Sequence, residues 1–388
     1  MTSGARLAEA KALLTRLIAF ESVSDTSNLP LIDFVEGYLR EHGLESRRAP
    51  NAAGDKAAIL ATIGPRVDGG VVLSGHTDVV PVEGQQWSSP PFTVREASGR
   101  LYGRGACDMK GFDACVLAMA PVFRDARLKR PIHIVMSYDE ETTCLGSRDI
   151  IARFGKDEPL PAAVIVGEPT MMRVADAHKS VATFRTLVTG HEAHSALPAL
   201  GANAVAVAAD VVSEIGRLAR AYEEGPLDPR FNPPYSTLHV GMIRGGTARN
   251  ILARECVFNW EFRGLPGATT ASAMAKVQAF VDEVATPRLT RFVKGPSIVT
   301  TIEVDVPPLA ADAGSAAETL ALRLTRSNNA IAVSFATEAG HFQAAGLPTI
   351  VCGPGSIDMA HKPDEFVDEA QLVACLDFLE RLAEDLSR

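Results

Sequence analysis

The chain has 388 residues, of which 46% are hydrophobic, and this fits a globular protein of two domains, or of one domain with a large insertion. Its 38 Lys and Arg against 47 Asp and Glu give a net charge of −9, which argues against a nucleic-acid or anionic-membrane surface. The six cysteines form no CxxC pair, so they read as free thiols of a reducing compartment and not as a disulfide framework or zinc ribbon.

The first stretch, ARLAEAKALLTRLIAFESVS, is charged throughout and repeats Leu7, Leu14, Leu17 and Ile18 at helical spacing, as an amphipathic helix and not a signal peptide would. No apolar run approaches the ~20 residues of a membrane span, and the expected location is the cytoplasm. Apolar runs then alternate with amphipathic segments. Strands are expected at AAILATI (57–63), GVVLSGH (70–76), PIHIVMSYDE (131–140) and AAVIVGE (162–168), with helices over 111–122 and 147–154. This is the pattern of an α/β layer fold with a mixed, mostly parallel sheet flanked by helices. After about residue 180 the texture changes to strand, helix, strand, strand, helix, strand, which predicts an inserted α+β domain. A helix over 315–327, strands IAVSFAT and LPTIVCGPG, and a closing helix from Glu369 return to the first texture. The expected division is 1–182 and 311–388 for one domain and 183–310 for the insert.

Four apolar strands run into potential metal ligands or catalytic carboxylates. VVLSGHTD ends in His76 and Asp78, HIVMSYDEE in Asp139, Glu140 and Glu141, and AAVIVGEPT in Glu168. TIVCGPGSIDMAHKPDE passes through a glycine-rich turn to His361. A fifth element, LYGRGACDMKGF, places Asp108 in a tight loop before a helix. Ligands of open α/β sheets bind outside the carboxyl ends of the strands, so all five elements point at one crevice. Two His and three carboxylates suit zinc, and also cobalt or manganese. A shared carboxylate can bridge two ions. A ligating His needs its other ring nitrogen held by a carboxylate or carbonyl, and Asp78, two residues after His76, offers one. Glu140 and Glu141 leave a strand end in opposite directions, so one can ligate while the other stays free as a base.

Other patterns carry less. HEAH (191–194) is one residue short of the HExxH zinc helix. GRG and GPG lack the third glycine of a dinucleotide fingerprint, and no GxSxG elbow occurs. His42, His133, His178, His239 and His341 read as structural or surface residues.

The motifs SGHTDVVP, GRGACDMKG, DEE, GEPT, GHEAHSALP and HKPDE stand in one order over nearly the whole chain. In them the sequence resembles the M20 family of co-catalytic metallopeptidases and amidohydrolases. The resemblance implies a zinc-exopeptidase-like catalytic domain with an inserted lid and dimerisation domain. It implies two Zn2+ per chain (Co2+ or Mn2+ as substitutes), with Asp108 bridging, His76 and Glu168 completing one site, and Glu141 and His361 the other. Glu140 would be the general base and Asp78 the orienter of His76. His194 in GHEAHS would stabilise the oxyanion, within its own chain or across a homodimer. Asn250 and Arg263 would bind substrate. Glu338 is placed by hypothesis near a side-chain amine of the substrate. The implied reaction is hydrolysis of the N-acyl amide of an amino acid, with an acetyl or a succinyl group removed; an inactive metal-binding homologue is the alternative outside enzymes.

Overall fold

Four of the apolar runs lie side by side. Ala57–Ile63, Ile132–Ser137, Gly70–His76 and Pro161–Pro169 are consecutive in an eight-stranded sheet, flanked by Ser46–Pro50 on one side and by Thr349–Gly353, Ala175–His178 and Ile331–Val333 on the other. Gly70–His76 pairs in parallel with both Ile132–Ser137 and Pro161–Pro169, and Thr349–Gly353 is parallel to Pro161–Pro169. Every residue of Gly70–His76 and of Ile132–Ser137 is buried, as expected of strands covered on both faces. Ala57–Ile63 is as apolar as its neighbours but runs antiparallel to Ile132–Ser137. A strand buried on both sides carries no alternation from which its direction could be read.

This computed structural model describes residues 2–295 and 297–388. The chain divides into two compact units, one formed by Met1–Ala177, Ala311–Ala332 and Thr337–Arg388, the other by His178–Ala310 with Val333–Ala336. The second unit thus begins five residues before the expected 183 and takes in a short piece beyond 310.

In the first unit the helix Lys110–Asp125 is buried along almost its whole length. It approaches the sheet so closely that a Cβ on Gly167 would lie 2.1 Å from the Phe112 ring, so only glycine fits there. Ser3–Ile18 buries Leu13, Leu14, Leu17 and Ile18, and the closing helix Glu369–Leu386 buries Leu372, Leu376, Leu379 and Leu382; all belong to the same apolar core. Several expected elements are shorter than their sequence suggested, among them the strand over 131–140, which is Ile132–Ser137. The helix over 147–154 is reduced to Arg148–Ile151, and the strand in IAVSFAT to Ile331–Val333.

The second unit is a four-stranded antiparallel sheet in the order Thr237–Gly245, Glu255–Arg263, Val181–Thr189, Ile298–Val306. Cys256, Phe258, Trp260 and Phe262 alternate inward and pack with the helices Ala204–Glu223 and Thr270–Phe280. Trp260 stacks on Phe184 at 3.8 Å between ring centres. Asn203 caps the longer helix by accepting from the amides of Val205 and Ala206.

Candidate metal centre

The parallel strands of the first unit release the chain at one edge of the sheet, and the chemistry-bearing residues collect there. His76 is the last residue of Gly70–His76, Glu140 and Glu141 follow Ile132–Ser137, and Glu168 closes Pro161–Pro169. Asp108 sits in the loop ahead of the helix Lys110–Asp125, and His361 follows the strand Thr349–Gly353 after a short 3-10 turn.

Asp108 is the hinge of the arrangement. Its Oδ1 lies 3.1 Å from His76 Nε2, and its Oδ2 lies 3.2 Å from His361 Nε2. Glu168 Oε1 is 3.7 Å from His76 Nε2, and Glu141 Oε2 is 3.0 Å from His361 Nε2. The ligand atoms therefore form two groups sharing Asp108, namely His76, Asp108 and Glu168, and Asp108, Glu141 and His361, each with its atoms within 4.8 Å of one another. Glu140 belongs to neither group, although one of its oxygens is 4.0 Å from His76 Nε2. Its other oxygen accepts from the Cys144 thiol at 3.4 Å.

His76 Nδ1 is 2.9 Å from the main-chain carbonyl of Asp78. A carbonyl can only accept, so Nδ1 carries the proton and Nε2 is left as the ligand atom. The Asp78 carboxylate also lies 3.6 Å from His76 Nδ1, but its hydrogen bonds go elsewhere. It accepts from the amides of Glu140 at 3.1 Å and Glu141 at 3.3 Å and from Ser24 Oγ at 2.6 Å. Asp78 thus holds His76 through its backbone and the Glu140–Glu141 turn through its side chain, a division of labour that spacing did not reveal. Asp139, beside them, is bound by Lys56.

The electrostatics follow from crowding acids in a buried place. Burial pushes Glu140 up to about 8 and Glu141 up to about 7, with neighbouring carboxylates adding to the effect. Glu168 is raised as well, by burial and then by Asp108. Burial alone would raise Asp108 too, but hydrogen bonds from His361 and His76 more than offset it and hold it well below the carboxylate range. His361 is raised to about 10 by its bonds to Asp108 and Glu141. A cation among these oxygens inverts that logic and favours the charged acids. The N/O donor set, the shared carboxylate and the surplus of buried acid all fit two small dications.

Of the remaining predicted residues, three belong to the second unit. His194, exposed in the second unit, accepts from the Ala196 amide through Nδ1 at 3.1 Å, and Asn250 is exposed, its carbonyl accepting from the Ser195 amide. Arg263 is partly buried, with its fork on Glu261 at 2.7 and 3.2 Å. Period two puts both on one strand face, so this pair was legible. Glu338 is 1% exposed, and its two oxygens accept from Ser74 and Ser137 on adjacent strands at 2.6 and 2.7 Å. It ties those strands together.

Sequence reasoning missed Glu365. Its buried carboxylate receives four hydrogen bonds from the 104–108 loop. The sequence held one clue, a carboxylate four residues after His361.

A mostly parallel sheet whose strand ends gather two ligand groups around one carboxylate fits the class of metal-dependent hydrolases. The family model for peptidase family M20/M25/M40 matches residues 72–385, and the chain belongs to that family. It is 33% identical over 383 residues to an acetylornithine deacetylase of Edwardsiella ictaluri, covering 96% of each chain. Its fold is that of an M20 family metallo-carboxypeptidase of Sulfolobus solfataricus, with a TM-score of 0.77 at 15% identity over 98% of this chain and 99% of the other. It also resembles a dinuclear metal binding peptidase of the M20 family from Bacillus subtilis, with a TM-score of 0.67 at 16% identity over 98% of each chain. The fold and the family make it a metal-dependent hydrolase.

Proposed function

We propose that the chain hydrolyses the amide of an N-acyl amino acid, and specifically N2-acetyl-L-ornithine to acetate and L-ornithine, a step of arginine biosynthesis. The observation that carries the reading is Asp108, whose two oxygens face two separate ligand groups while Glu140 stands beside them unused. Zinc suits the donor set, with His76, Asp108 and Glu168 holding one ion and Asp108, Glu141 and His361 the other. When bound, such a pair polarises the scissile carbonyl and acidifies the attacking water.

The protein's own groups do the rest. Glu140 takes the proton of the attacking water and returns it to the leaving amine. Asp78 fixes the turn that aims Glu140. By family resemblance, His194 donates to the oxyanion as charge develops, Asn250 binds the substrate, and Arg263 binds its free α-carboxylate through a planar fork. The Arg263 fork then exchanges Glu261 for the substrate carboxylate. His194→Ala is expected to lower kcat more than it raises KM, because its contact forms mainly in the transition state. The second unit is read as a lid that also joins two chains in a homodimer. Exposed Leu197, Leu200, Met242 and Ile243 support that reading.

The deciding experiment is amine release from N-acetyl-L-ornithine by zinc-loaded protein, beside N-succinyl-diaminopimelate, N-acetylmethionine and a chelated control. Chelator-sensitive turnover preferring acetylornithine supports the proposal. A preference for the succinyl substrate keeps the chemistry and replaces the substrate. No turnover of any of the three refutes the proposed specificity.

A further inference from the structure

One buried carboxylate outside both ligand groups holds more donors than any ligand does. Glu365 is 1% exposed, and it lies four residues after His361. Its Oε1 accepts from the amides of Cys107 at 2.9 Å and Asp108 at 3.0 Å. Its Oε2 accepts from the Gly105 amide at 3.0 Å and from Arg104 Nη1 at 2.7 Å. The loop that delivers Asp108 is therefore wrapped around this one side chain, with three of its amides turned inward as in an anion nest.

The linkage continues to the other ligand. Arg104 Nη2 donates to Gln85 Oε1 at 2.6 Å, and Gln85 Nε2 donates to the main-chain carbonyl of His361 at 2.9 Å. Trp87 Nε1 also donates to Gln85 Oε1, at 3.1 Å, and the Arg104 guanidinium lies over the Trp87 ring at 5.0 Å. His361 is held at φ 62°, a left-handed conformation that a non-glycine residue keeps only when its surroundings impose it. A fully buried ion pair such as Arg104–Glu365 brings little net stability, because desolvation offsets the attraction between its charges. What such a pair does supply is fixed geometry.

We infer that Glu365, acting through Arg104 and Gln85, is a positioning residue that sets Asp108 and His361 in register and thereby sets the affinity of the ion they share with Glu141. The inference rests on the dinuclear reading above. Glu365→Gln places an amide nitrogen against main-chain N–H groups, so the loop must turn away. The expected loss of affinity at that ion's site is about 10–100-fold, the usual effect of removing a group that orients a ligand. Gln85→Leu frees the His361 carbonyl, Arg104 Nη2 and Trp87 Nε1, and leaves the four hydrogen bonds to Glu365 in place.

The test is titration of the chelator-stripped full chain with Co2+, following both binding steps, with the unfolding midpoint in EDTA measured in parallel. Wild type binding two ions, with Glu365→Gln and Gln85→Leu each weakening one step at least tenfold, supports the inference. Variants that lose midpoint but bind both ions as wild type does overturn it, since the role is then structural only. Should Glu365→Gln not fold, Gln85→Leu decides by the same criterion. Wild type taking up no Co2+ refutes the dinuclear reading itself, which is a distinguishable result.

Discussion

Asp78→Asn separates two accounts of the same residue. In the structure the Asp78 carboxylate accepts the amides of Glu140 and Glu141 and the hydroxyl of Ser24, while His76 is held by the Asp78 carbonyl. Asparagine keeps the main-chain carbonyl but offers only one side-chain acceptor oxygen, so an –NH2 must face a donor, one of the two part-buried amides or the Ser24 hydroxyl. Losing a bond to a charged group costs about 1.5–3 kcal/mol, and the orphaned amide adds about 1–3 kcal/mol. Because these amides are only part-buried, a metal-free stability loss at the low end of that range, about 3 kcal/mol, is expected, read as a shift of the urea midpoint. The displaced turn carries Glu140, so kcat should fall about 10–100-fold, at tenfold per 1.36 kcal/mol. The affinity of the ion held by His76 should stay within about threefold of wild type, because the proton on Nδ1 is still fixed by the backbone. Were the carboxylate the orienter of His76, affinity would fall and kcat would follow it. A variant with weakened binding at His76 and an unshifted urea midpoint would refute the reasoning.

Other perturbations have equally definite outcomes. Glu140→Gln should bind metal as wild type does yet lose about 10²–10⁴ in turnover, the usual share of a general base; retention of a tenth of the activity would remove Glu140 from that role. Gly353→Ala would place a Cβ 1.8 Å from the Gly167 carbonyl oxygen, a backbone atom that cannot step aside. A loss above about 4 kcal/mol is expected, seen as insoluble expression or a collapsed melting temperature. His133 is 0% exposed, and burial lowers it to about 4. The unfolded chain therefore binds more protons between about pH 6.5 and pH 4, and stability falls as pH drops through that window. The loss from pH 7 to pH 5 is about 2 kcal/mol, and His133→Gln should flatten the urea-midpoint profile by that amount.

What could be read in advance was whatever lies along the chain. Strands that end in His76, Glu141 and Glu168 announce themselves, because a parallel sheet delivers its carboxyl ends to one edge. The antiparallel direction of Ala57–Ile63 left no trace in a run buried on both sides. Contacts between distant segments were equally silent. Glu338 meets Ser74 and Ser137 only across 264 and 201 residues of chain, so its burial between two strands was not written near it. The same holds for Glu365, whose donors lie more than 250 residues away. Local spacing named the residues that the structure gathers around Asp108, and tertiary structure added Glu365, which holds their loop.

That difference bears on what the fold spends at its centre. Burial raises Glu140, Glu141 and Glu168 together, and a raised carboxylate is one that the fold disfavours in its charged form. The metal-free chain must keep these acids protonated or suffer their repulsion, so the edge that gathers them is a local weakness in the fold. Ions that bind only the folded chain repair it, by about 4 kcal/mol for each site held at a thousand times its dissociation constant. Two filled sites on independent terms would give about 8 kcal/mol, but they share Asp108, so the second ion meets a charge already partly neutralised and the sum must be smaller. The unfolding midpoint in excess zinc should therefore exceed that in EDTA by more than one site supplies and less than two. Equal midpoints would mean that protons alone neutralise the acids, and the dinuclear reading would fall.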